Sequence, residues 1–451
     1  MRQVRYPSYK TTKSPWLAPI PEHWEEKRLK YVATYNDESL DEKTDPDFEI
    51  EYVDISSVSL THGIEKSELL AFERAPSRAR RKVRHGDVIV STVRTYLKAI
   101  APIKNPPLNM VVSTGFAVIR PRPSLDARFA GYMLQSNGFV GDVVANSVGV
   151  SYPAINASDL ARLPFAEPPL SEQRIISDFL DHKTAQIDVL IAKKQTLLDK
   201  LGEQRSSLIN QAVTKGLNDA VPMKESGVAW LGEIPRHWET KRLRFLMTMS
   251  GGLTPRTSEP RYWGGDIPWV SPKDMKSERL SSSIDTLTED ALNETTLRLY
   301  PTGKVLIVVR GMILAHTFPV AVNEVPVTVN QDMKVLETTM NPEYLAVLLR
   351  GIQSLVLSIV EESAHGTKVL RTDLLKDMVL PVPPRVEQDE IVSEVARISS
   401  RIDKMVSTVT VAITKLQEYR SALITNAVTG KIDVRDFCIP TTTEQKEVAH
   451  G

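Results

Sequence analysis

The chain has 451 residues, enough for about three structural units at roughly 150 residues each. Its hydrophobic share of 41% and charged share of 25% are those of an ordinary globular protein. Lysine plus arginine and aspartate plus glutamate balance at 56 each, so any surface for nucleic acid must be local. The single cysteine, Cys438, excludes a disulfide framework and a cysteine-based zinc site. With no signal-peptide pattern and no apolar run long enough for a bilayer, we expect a soluble, cytoplasmic protein.

The chain contains an internal repeat. WLAPIPEHWEEKRLKYV at 16–32 and WLGEIPRHWETKRLRFL at 230–246 share ten of seventeen residues at an offset of 214. EQRSSLINQAVT at 203–214 and EYRSALITNAVT at 418–429 share eight of twelve at an offset of 215. PPLSEQRII at 168–176 also matches PPRVEQDEI at 383–391. These matches predict two tandem copies with pseudo-twofold geometry.

Each copy has a repeated opening, a variable middle and a long helical segment. In the first middle, RHGDVIVSTVR at 84–94 predicts a turn followed by an apolar strand, and PTGKVLIVVRG at 301–311 is its counterpart. We therefore predict globular domains at 1–170 and 217–386, with long helices at 171–216, including the start of a linker, and at 387–430. Residues 431–451 are predicted to form a loose C-terminal tail.

The helical segments follow a heptad pattern. In the second copy, steps of four and three alternate in an a/d register. This register comprises Ile391, Val395, Ile398, Ile402, Met405, Val409, Ala412, Leu416, Tyr419 and Leu423. The first copy keeps the register with polar residues at Lys183, Lys194 and Gln204. Because a lone heptad helix needs a partner for its apolar stripe, we predict that the two helices pack on each other. Packing of each helix into its own domain is the alternative.

The two middles differ in their polar residues. Residues 72–104 hold nine basic residues against two acids, a local excess that suits phosphate binding and counterion release. A solvated charged loop is the alternative. The second middle, SGGLTPRTSEPRYWGGDIPWVSPKDM at 250–275, is rich in turn-forming residues. We interpret its two tryptophans, Trp263 and Trp269, as core or loop anchors rather than as base-stacking residues.

Recognisable catalytic motifs are missing from the sequence. It has no G-x-x-x-x-G-K-[ST] phosphate loop and no G-x-G-x-x-G fingerprint. NPPL at 105–108 lacks the aromatic residue that stacks a flipped base, so we interpret it as a loop. His23 and His237 lie in the repeated openings, where a duplicated structural hydrogen bond is favoured over a general base. No cluster of metal ligands stands out, so no metal site is predicted.

The repeated openings, the 250–275 segment and the PPLSEQ and PPRVEQ helix starts resemble the specificity (S) subunits of type I restriction-modification systems. The resemblance covers almost the whole chain in the family's order. It implies an α+β fold in which two α/β target-recognition domains are separated by two long conserved helices. The duplication, with a pseudo-twofold axis across the pair, predicts that these two helices pack as an antiparallel coiled coil. The sequence departs from the pattern in the first domain, where EYVDISSVS at 51–59 replaces the YWGGDIPW of the second.

The same resemblance implies a non-catalytic DNA-specificity subunit with a role in phage defence. Each domain would read one half of a bipartite site in double-stranded DNA, while the helix pair sets the gap and docks the partners. Two methyltransferase (M) subunits would methylate adenine N6 with S-adenosylmethionine. Two restriction (R) subunits would use ATP and Mg²⁺ to translocate and cut. The chain itself would bind no cofactor, and no membrane is involved.

Candidate DNA-binding residues are those whose side chains suit base edges or phosphates, such as Arg or Lys at guanine and Asn or Gln at adenine. In the first domain they are Arg78, Arg80, Arg81, Lys82, Arg84, Arg94, Ser113, Thr114, Ser151 and Tyr152. In the second domain they are Thr254, Arg256, Tyr262, Lys273, Arg310, Asn330, Gln331, Lys334, His365, Thr367 and Lys368.

Two other functions remain open from the sequence. A coiled-coil scaffold that binds proteins through its variable middles, without a DNA role, would also explain the duplication. The basic residues at 72–104 argue against it. A self-contained restriction or methylation enzyme is disfavoured, because no catalytic motif occurs in 451 residues.

Overall fold

The computed structural model describes residues 4–14, 17 and 19–439. Trp16, which begins the first repeated opening, and residues 440–451 of the predicted tail lie outside the described residues. The chain divides into two compact units. The first contains residues up to Gln195 and those from Val411 onward, and the second is Thr196–Thr410. Over the described ranges, no helix combines the length and apolar character needed to cross a membrane.

The first unit contains the first globular domain and parts of both long helices. Its strands are β1 (Tyr9–Lys10), β2 (Ile20–Pro21), β3 (Glu25–Arg28), β4 (Ala33–Tyr35), β5 (Glu49–Val53), β6 (Val58–Ser59), β7 (Gly63–Ile64), β8 (Glu68–Ala71), β9 (Ala79–Lys82), β10 (Val88–Ser91), β11 (Ile100–Pro102), β12 (Met110–Ser113), β13 (Phe116–Pro121) and β14 (Pro164–Glu167). Its helices are α1 (Leu29–Val32), α2 (Ala127–Gln135), α3 (Asn137–Ala145), α4 (Ala157–Leu160) and the start of α5 (Leu170–Lys215).

The second unit contains the second globular domain between the remaining parts of the long helices. Its strands are β15 (Met223–Glu225), β16 (Glu233–Pro235), β17 (Glu239–Arg242), β18 (Met247–Gly251), β19 (Trp263–Val270), β20 (Arg279–Leu280), β21 (Asp285–Leu287), β22 (Val305–Val308), β23 (Val320–Asn323), β24 (Thr328–Val329), β25 (Met333–Thr338), β26 (Val360–Glu362), β27 (Lys368–Leu370) and β28 (Val379–Val382). Its helices are α6 (Glu289–Glu294), α7 (Pro342–Gly351), α8 (Gln353–Leu357), α9 (Thr372–Asp377) and the start of α10 (Arg385–Val428).

The two domains share one sheet frame. The first domain has sheets of order β11-β10-β13-β4 and β8-β5-β12-β9, and the second has β18-β25-β22-β23-β20 and β21-β19-β24. In each, a parallel pair (β5 with β12, β19 with β24) stands beside an antiparallel pair (β10 with β13, β22 with β25). Strands β10 and β22, both predicted from their apolar runs, are buried at all four positions. The duplication therefore extends into the variable middles.

The long helices pair through opposite halves in each unit. In the first unit, the N-terminal half of α5 meets the C-terminal half of α10, and Asp188 Oδ1 lies 2.9 Å from Arg420 Nε. In the second unit, the C-terminal half of α5 meets the N-terminal half of α10, and Arg205 Nη1 lies 2.9 Å from Asp403 Oδ1. The two ion pairs are equivalent under the offset of 215. Opposite halves meet as an antiparallel pair requires.

Each repeated opening is tied to the start of a long helix by a glutamate. Trp24 Nε1 donates to Glu172 Oε1 at 3.0 Å, and His23 Nε2 lies 2.7 Å from Glu172 Oε2. In the second copy, Trp238 Nε1 donates to Glu387 Oε2 at 2.8 Å, and His237 Nε2 lies 2.5 Å from Glu387 Oε1. Both histidines therefore make the duplicated structural hydrogen bond that the sequence predicted.

The glutamine after each glutamate ties the same helix to the body of its domain. Gln173 accepts from the backbone of Asp126 at 2.7 Å and donates to the carbonyl of Pro168 at 2.8 Å. In the second copy, Gln388 accepts from the backbone of Asn341 at 2.8 Å and donates to the carbonyl of Pro383 at 2.9 Å. Asp126 and Asn341 are the N-caps of α2 and α7. The repeated Pro-Pro and Glu-Gln residues are therefore a structural joint.

The prediction of a loose tail from residue 431 is wrong for residues 431–439. Ile432 and Val434 are buried in the core of the first unit. The backbone N–H of Asp433 donates to the carbonyl of Val4 at 2.8 Å. The Phe437 ring packs edge-on against Phe179, with centroids 5.2 Å apart. A short, aperiodic segment with few apolar residues gives no pattern that reveals such packing.

Candidate nucleic-acid interface

Several first-domain candidates converge where β10 ends and β12 turns into β13. Arg94 follows β10, and Thr114 lies in the turn. The backbone of Thr114 donates to the carbonyl of Arg78 at 2.7 Å, and that of Thr92 donates to the carbonyl of Gly115 at 2.8 Å. These bonds bring Arg78, Arg94 and Thr114 to one region of the surface, which we call the first corner.

A turn and a loop complete the first corner. A single 3-10 turn, Thr95–Leu97, lies between Arg94 and Lys98, whose backbones are both left-handed at φ 50° and 53°. The hydroxyl of Thr95 bonds to that of Ser147 at 2.8 Å. The Arg94 guanidinium stacks on the Tyr152 ring, 5.0 Å from its centroid. Loop 146–154, which carries exposed Ser151 and Tyr152, is thereby held beside Arg94.

The second domain brings its candidates to the equivalent place, the second corner. Gln331 lies in the turn between β24 and β25, and Arg310 follows β22. The backbone of Arg310 donates to the carbonyl of Asp332 at 3.3 Å, and that of Gly311 donates to the carbonyl of Lys368 at 2.9 Å. The turn of the β26–β27 hairpin adds His365 and Thr367.

The two tryptophans of the second middle hold a loop at the second corner. Trp269 Nε1 donates to the carbonyl of Leu253 at 3.0 Å, and Trp263 Nε1 donates to the carbonyl of Arg256 at 3.3 Å. Their rings meet edge to face, with centroids 5.1 Å apart. They are therefore loop anchors, as predicted. The loop places the Thr254 hydroxyl against the Gln331 side chain and leaves Arg256 exposed.

Acidic residues from elsewhere in the domain partly neutralise the basic residues at 72–104. Arg78 Nη2 lies 2.7 Å from Asp54 Oδ2, and Arg84 Nη2 lies 2.7 Å from Glu38 Oε1. Arg80 stacks on the ring of Phe72, 4.5 Å from its centroid. The local positive charge is therefore smaller than the sequence count predicts.

Hydrogen bonding and burial adjust the charges around β9. The Tyr52 hydroxyl, followed by the charge of Asp54, raises the pKa of Arg78. Burial opposes ionisation of Asp54, but hydrogen bonds from Ser56 and Tyr52 and the charge of Arg78 hold its pKa below the usual value. Burial lowers the pKa of Arg81, whose Nε finds no hydrogen-bond partner in the described part of the chain. Arg78 is thus held as a fixed cation, whereas Arg81 belongs partly to the domain interior.

Three candidate DNA-binding residues have buried side chains. Ser113, with no exposed surface, and Asn330, 5% exposed, occupy the same frame position just before the turn. Inside the turn, the Ser113 hydroxyl accepts from the backbone of Gly115 at 3.3 Å. The Asn330 side chain accepts from the backbone of Asp332 at 3.1 Å. Tyr262 is 8% exposed and donates to Glu294 at 2.9 Å. These side chains shape the corners from within.

Three lysines among the candidates differ in exposure and in what their side chains contact. Lys82 is exposed on β9. Lys273 pairs with Asp285 rather than with a second-corner residue. Lys334 is half-buried, and its Nζ would lie 2.8 Å from a Cβ built on Gly251. Among the described residues, no group of acidic, histidine or cysteine side chains is placed to hold a metal ion.

Sequence reasoning missed exposed apolar residues that stand two or three positions after the arginine beyond β10 or β22. Tyr96 and Leu97 in the first copy and Met312 in the second are each about half exposed or more. An available signal was an apolar residue beyond the end of a strand pattern, two or three positions after an arginine. Periodicity assigns such residues to the core because it carries no information about the chain's direction after the strand.

Comparison with known proteins identifies the fold. Residues 21–199 and 235–408 each match the family model of the type I restriction modification DNA specificity domain. The two matches together cover more than half of the chain. The chain therefore belongs to this family, and it carries the domain twice.

Curated relatives share the same description. The chain is 31% identical over 168 residues to the MjaIX specificity subunit of Methanocaldococcus jannaschii, covering 36% of this chain and 38% of that protein. It is 31% identical over 202 residues to the EcoR124I/EcoR124II specificity subunit of Escherichia coli, covering 44% and 46%. The matches thus span less than half the length of these two relatives. The EcoKI specificity subunit of Escherichia coli K12 is 22% identical over 330 residues, covering 70% and 68%.

Solved structures share the fold over nearly the whole chain. One comes from work on the assembly and conformational transition of the type I R-M system, with a TM-score of 0.69 and 22% identity over 91% of this chain and 98% of that one. The HsdS subunit from Thermoanaerobacter tengcongensis has a TM-score of 0.51 and 22% identity over 94% and 100%. At this identity the likeness establishes the fold alone.

Proposed function

We propose that this chain is the DNA sequence-specificity subunit of a type I restriction-modification complex. The observation that carries the proposal is one corner frame built twice with different surface residues. The arginine that follows β10 or β22 is common to both copies, as Arg94 and Arg310, whereas the turn residue differs, being Thr114 in the first corner and Gln331 in the second. Because phosphate contacts position a protein and base-edge contacts specify sequence, two frames with different side chains suit two different short tracts of bases.

In this proposal each domain reads one half of a bipartite site in double-stranded DNA. Arg94 and Arg310 have side chains that suit guanine, and Gln331 has one that suits adenine. The paired helices α5 and α10 set the unread gap and dock the partners. Those partners are two methyltransferase subunits, which use S-adenosylmethionine to methylate adenine N6, and two restriction subunits, which use ATP and Mg²⁺. The chain itself is non-catalytic, binds no cofactor and acts in the cytoplasm.

Family membership supports this function over a protein-binding scaffold without a DNA role. Both domains match a model described as a DNA specificity domain, and the curated relatives are specificity subunits of type I restriction enzymes. No observation in the structure favours the scaffold.

The test is to map N6-methyladenine in native genomic DNA with and without this gene. We expect deletion to remove methylation at one bipartite motif with a fixed gap. Arg94→Ala and Arg310→Ala should each relax the sequence of one half-site and leave the other unchanged, so each half-site is the control for the other. The proposal is overturned if the methylation pattern is the same with and without the gene, even when the partner methyltransferase is co-expressed.

A further inference from the structure

The first corner presents apolar side chains to solvent. Five residues, which we call the apolar tip, lie on the 3-10 turn and on loop 146–154. Their exposed fractions range from 47% to 102%, for Leu97, Tyr96, Tyr152, Val148 and Val150 in rising order. Single exposed apolar residues are common on protein surfaces, but a group of them on one feature marks an interaction site.

The backbone of the apolar tip is held in place before any ligand binds. Val148 and Ala154 exchange two backbone hydrogen bonds of 2.8 and 3.0 Å across loop 146–154. Gly149 has φ 116°, and a Cβ there would lie 3.1 Å from the carbonyl oxygen of Tyr152. The Thr95 hydroxyl joins the loop to the 3-10 turn. Such a surface loses little freedom on binding, which favours reading of a fixed shape.

Cations flank the apolar tip. Arg94 and Lys98 bracket the 3-10 turn, and both are exposed. Neither has a carboxylate within ion-pair distance among the described residues, and Arg94 stacks on the Tyr152 ring. An apolar surface between unpaired cations is complementary to the major groove of DNA. There phosphates and guanine edges attract the cations, and the thymine 5-methyl is an apolar feature of a base edge.

The second corner keeps one exposed apolar residue, Met312, but has a charged hairpin where the first corner has the apolar loop 146–154. Its hairpin pairs Glu362 with Lys368 and Glu361 with Arg371, each at 2.7 Å. A partner protein that docks on both copies would meet two equivalent surfaces, and duplication would keep those surfaces alike. Surfaces that differ this much between copies suit two different base sequences. This contrast favours DNA over protein as the occupant of the apolar tip.

We propose that the apolar tip contacts thymine 5-methyl groups in the major groove, so that the half-site of the first domain contains thymine recognised by its methyl. The inference rests on the proposed function and assigns a base to it. It makes the 5-methyl group, and not only the hydrogen-bonding edge of the base, part of the recognised sequence.

The test replaces thymine by uracil, which removes the 5-methyl and keeps the base pairing. The complex with its methyltransferase subunits is titrated with duplexes carrying both half-sites. We expect each contacted thymine replaced in the first half-site to weaken binding roughly threefold to fivefold, the effect of losing one buried methyl-sized group. The same replacement in the second half-site should change binding less than twofold.

A matched pair of variants assigns the effect to the apolar tip. Val148→Ser combined with Val150→Ser should weaken binding to the thymine duplex and abolish the preference over uracil. Leu108→Ser is the control, because Leu108 is fully exposed in the loop at the opposite end of β12. That variant should keep the full preference for thymine.

Three results would overturn this inference. They are a first half-site without thymine, equal binding of the thymine and uracil duplexes, and loss of methyltransferase copurification in the Val148→Ser/Val150→Ser protein. The last result would make the apolar tip a protein contact. If sequence-specific DNA binding persists while uracil is neutral, only the thymine assignment fails. If no duplex is bound specifically, the proposed function fails with it.

Discussion

At the scale of single residues, two carboxylates hold the repeated openings. Glu172 accepts from the Tyr6 hydroxyl at 2.6 Å and from Trp24 at 3.0 Å. Burial, followed by the hydrogen bond to Glu172, raises the pKa of Tyr6 above its ordinary value, so its hydroxyl remains a donor at physiological pH. The second copy has Ala220 at the position 214 residues after Tyr6, and no hydroxyl is available there. The same joint is therefore built with different strength in the two copies.

Glu172→Ala should destabilise the first unit strongly. We expect a loss of about 3 kcal/mol or more in the free energy of unfolding, because an unsatisfied buried donor costs about 1–3 kcal/mol and two donors lose their acceptor. Glu387→Ala is the matched control, and we expect a loss of about 2 kcal/mol there, since the Glu387 side chain is 33% exposed against 6% for that of Glu172. Urea unfolding followed by tryptophan fluorescence measures both. Equal losses would contradict the stronger first joint.

At the scale of elements, each long helix ends on a glycine that packs against a repeated opening. Gly216 follows α5 and Gly430 follows α10, with φ of 81° and 71°. A Cβ on Gly430 would overlap the Pro21 ring, whereas one on Gly216 would lie 3.2 Å from the Trp238 ring. Left-handed glycine is the common end of a helix, and here the close approach adds a second requirement for it.

Gly430→Ala should therefore cost more stability than Gly216→Ala. An alanine in the left-handed backbone conformation lowers the free energy of unfolding by roughly 1–2 kcal/mol at either position. We expect about 3 kcal/mol or more for Gly430→Ala, because overpacking adds another 1–3 kcal/mol where Pro21 must move. Thermal unfolding followed by circular dichroism measures the two variants. A Gly430→Ala protein as stable as the Gly216→Ala protein would refute the close contact.

Sequence patterns predict some of these elements well. The predicted helical segments 171–216 and 387–430 agree with α5 and α10 within two residues at each end, and the apolar stripe of the heptad register covers most of each helix. The apolar runs predict β10 and β22. The site is harder to predict, since Glu38 and Asp54 neutralise Arg84 and Arg78 only after distant segments meet. Counting the charged residues within 72–104 gives no information on acidic partners that lie outside that stretch.

At the scale of the whole molecule, the first unit combines segments that are far apart in sequence. Its core includes Ile432 and Val434 beside residues of the first domain. The second unit is one continuous segment, Thr196–Thr410. The two copies are thus alike in fold but differ in how their pieces are connected.

Removing residues 431–451 should weaken the first unit selectively. Ile432 and Val434 each stabilise the core by about 1.5–3 kcal/mol when fully buried. We therefore expect a chain ending at Gly430 to lose about 3–5 kcal/mol in the unfolding of that unit, with the second unit unchanged. A chain ending at Ile439 keeps these side chains and is the control. Limited proteolysis with identification of the cut sites distinguishes the units, and cuts confined to Thr196–Thr410 would contradict the expectation.

The noncontiguous first unit has a consequence for synthesis on the ribosome. Chains emerge from the N-terminus at about 5–20 residues per second, and domains usually finish folding in that order. Here the second unit is complete once Thr410 has emerged, whereas the first still lacks its C-terminal core residues, which are Leu423, Ile424, Ala427, Val428, Ile432 and Val434. The part that is made first is therefore finished last. During that interval the nascent N-terminal domain leaves apolar surface uncovered, and this is the stage at which chaperones have most to protect.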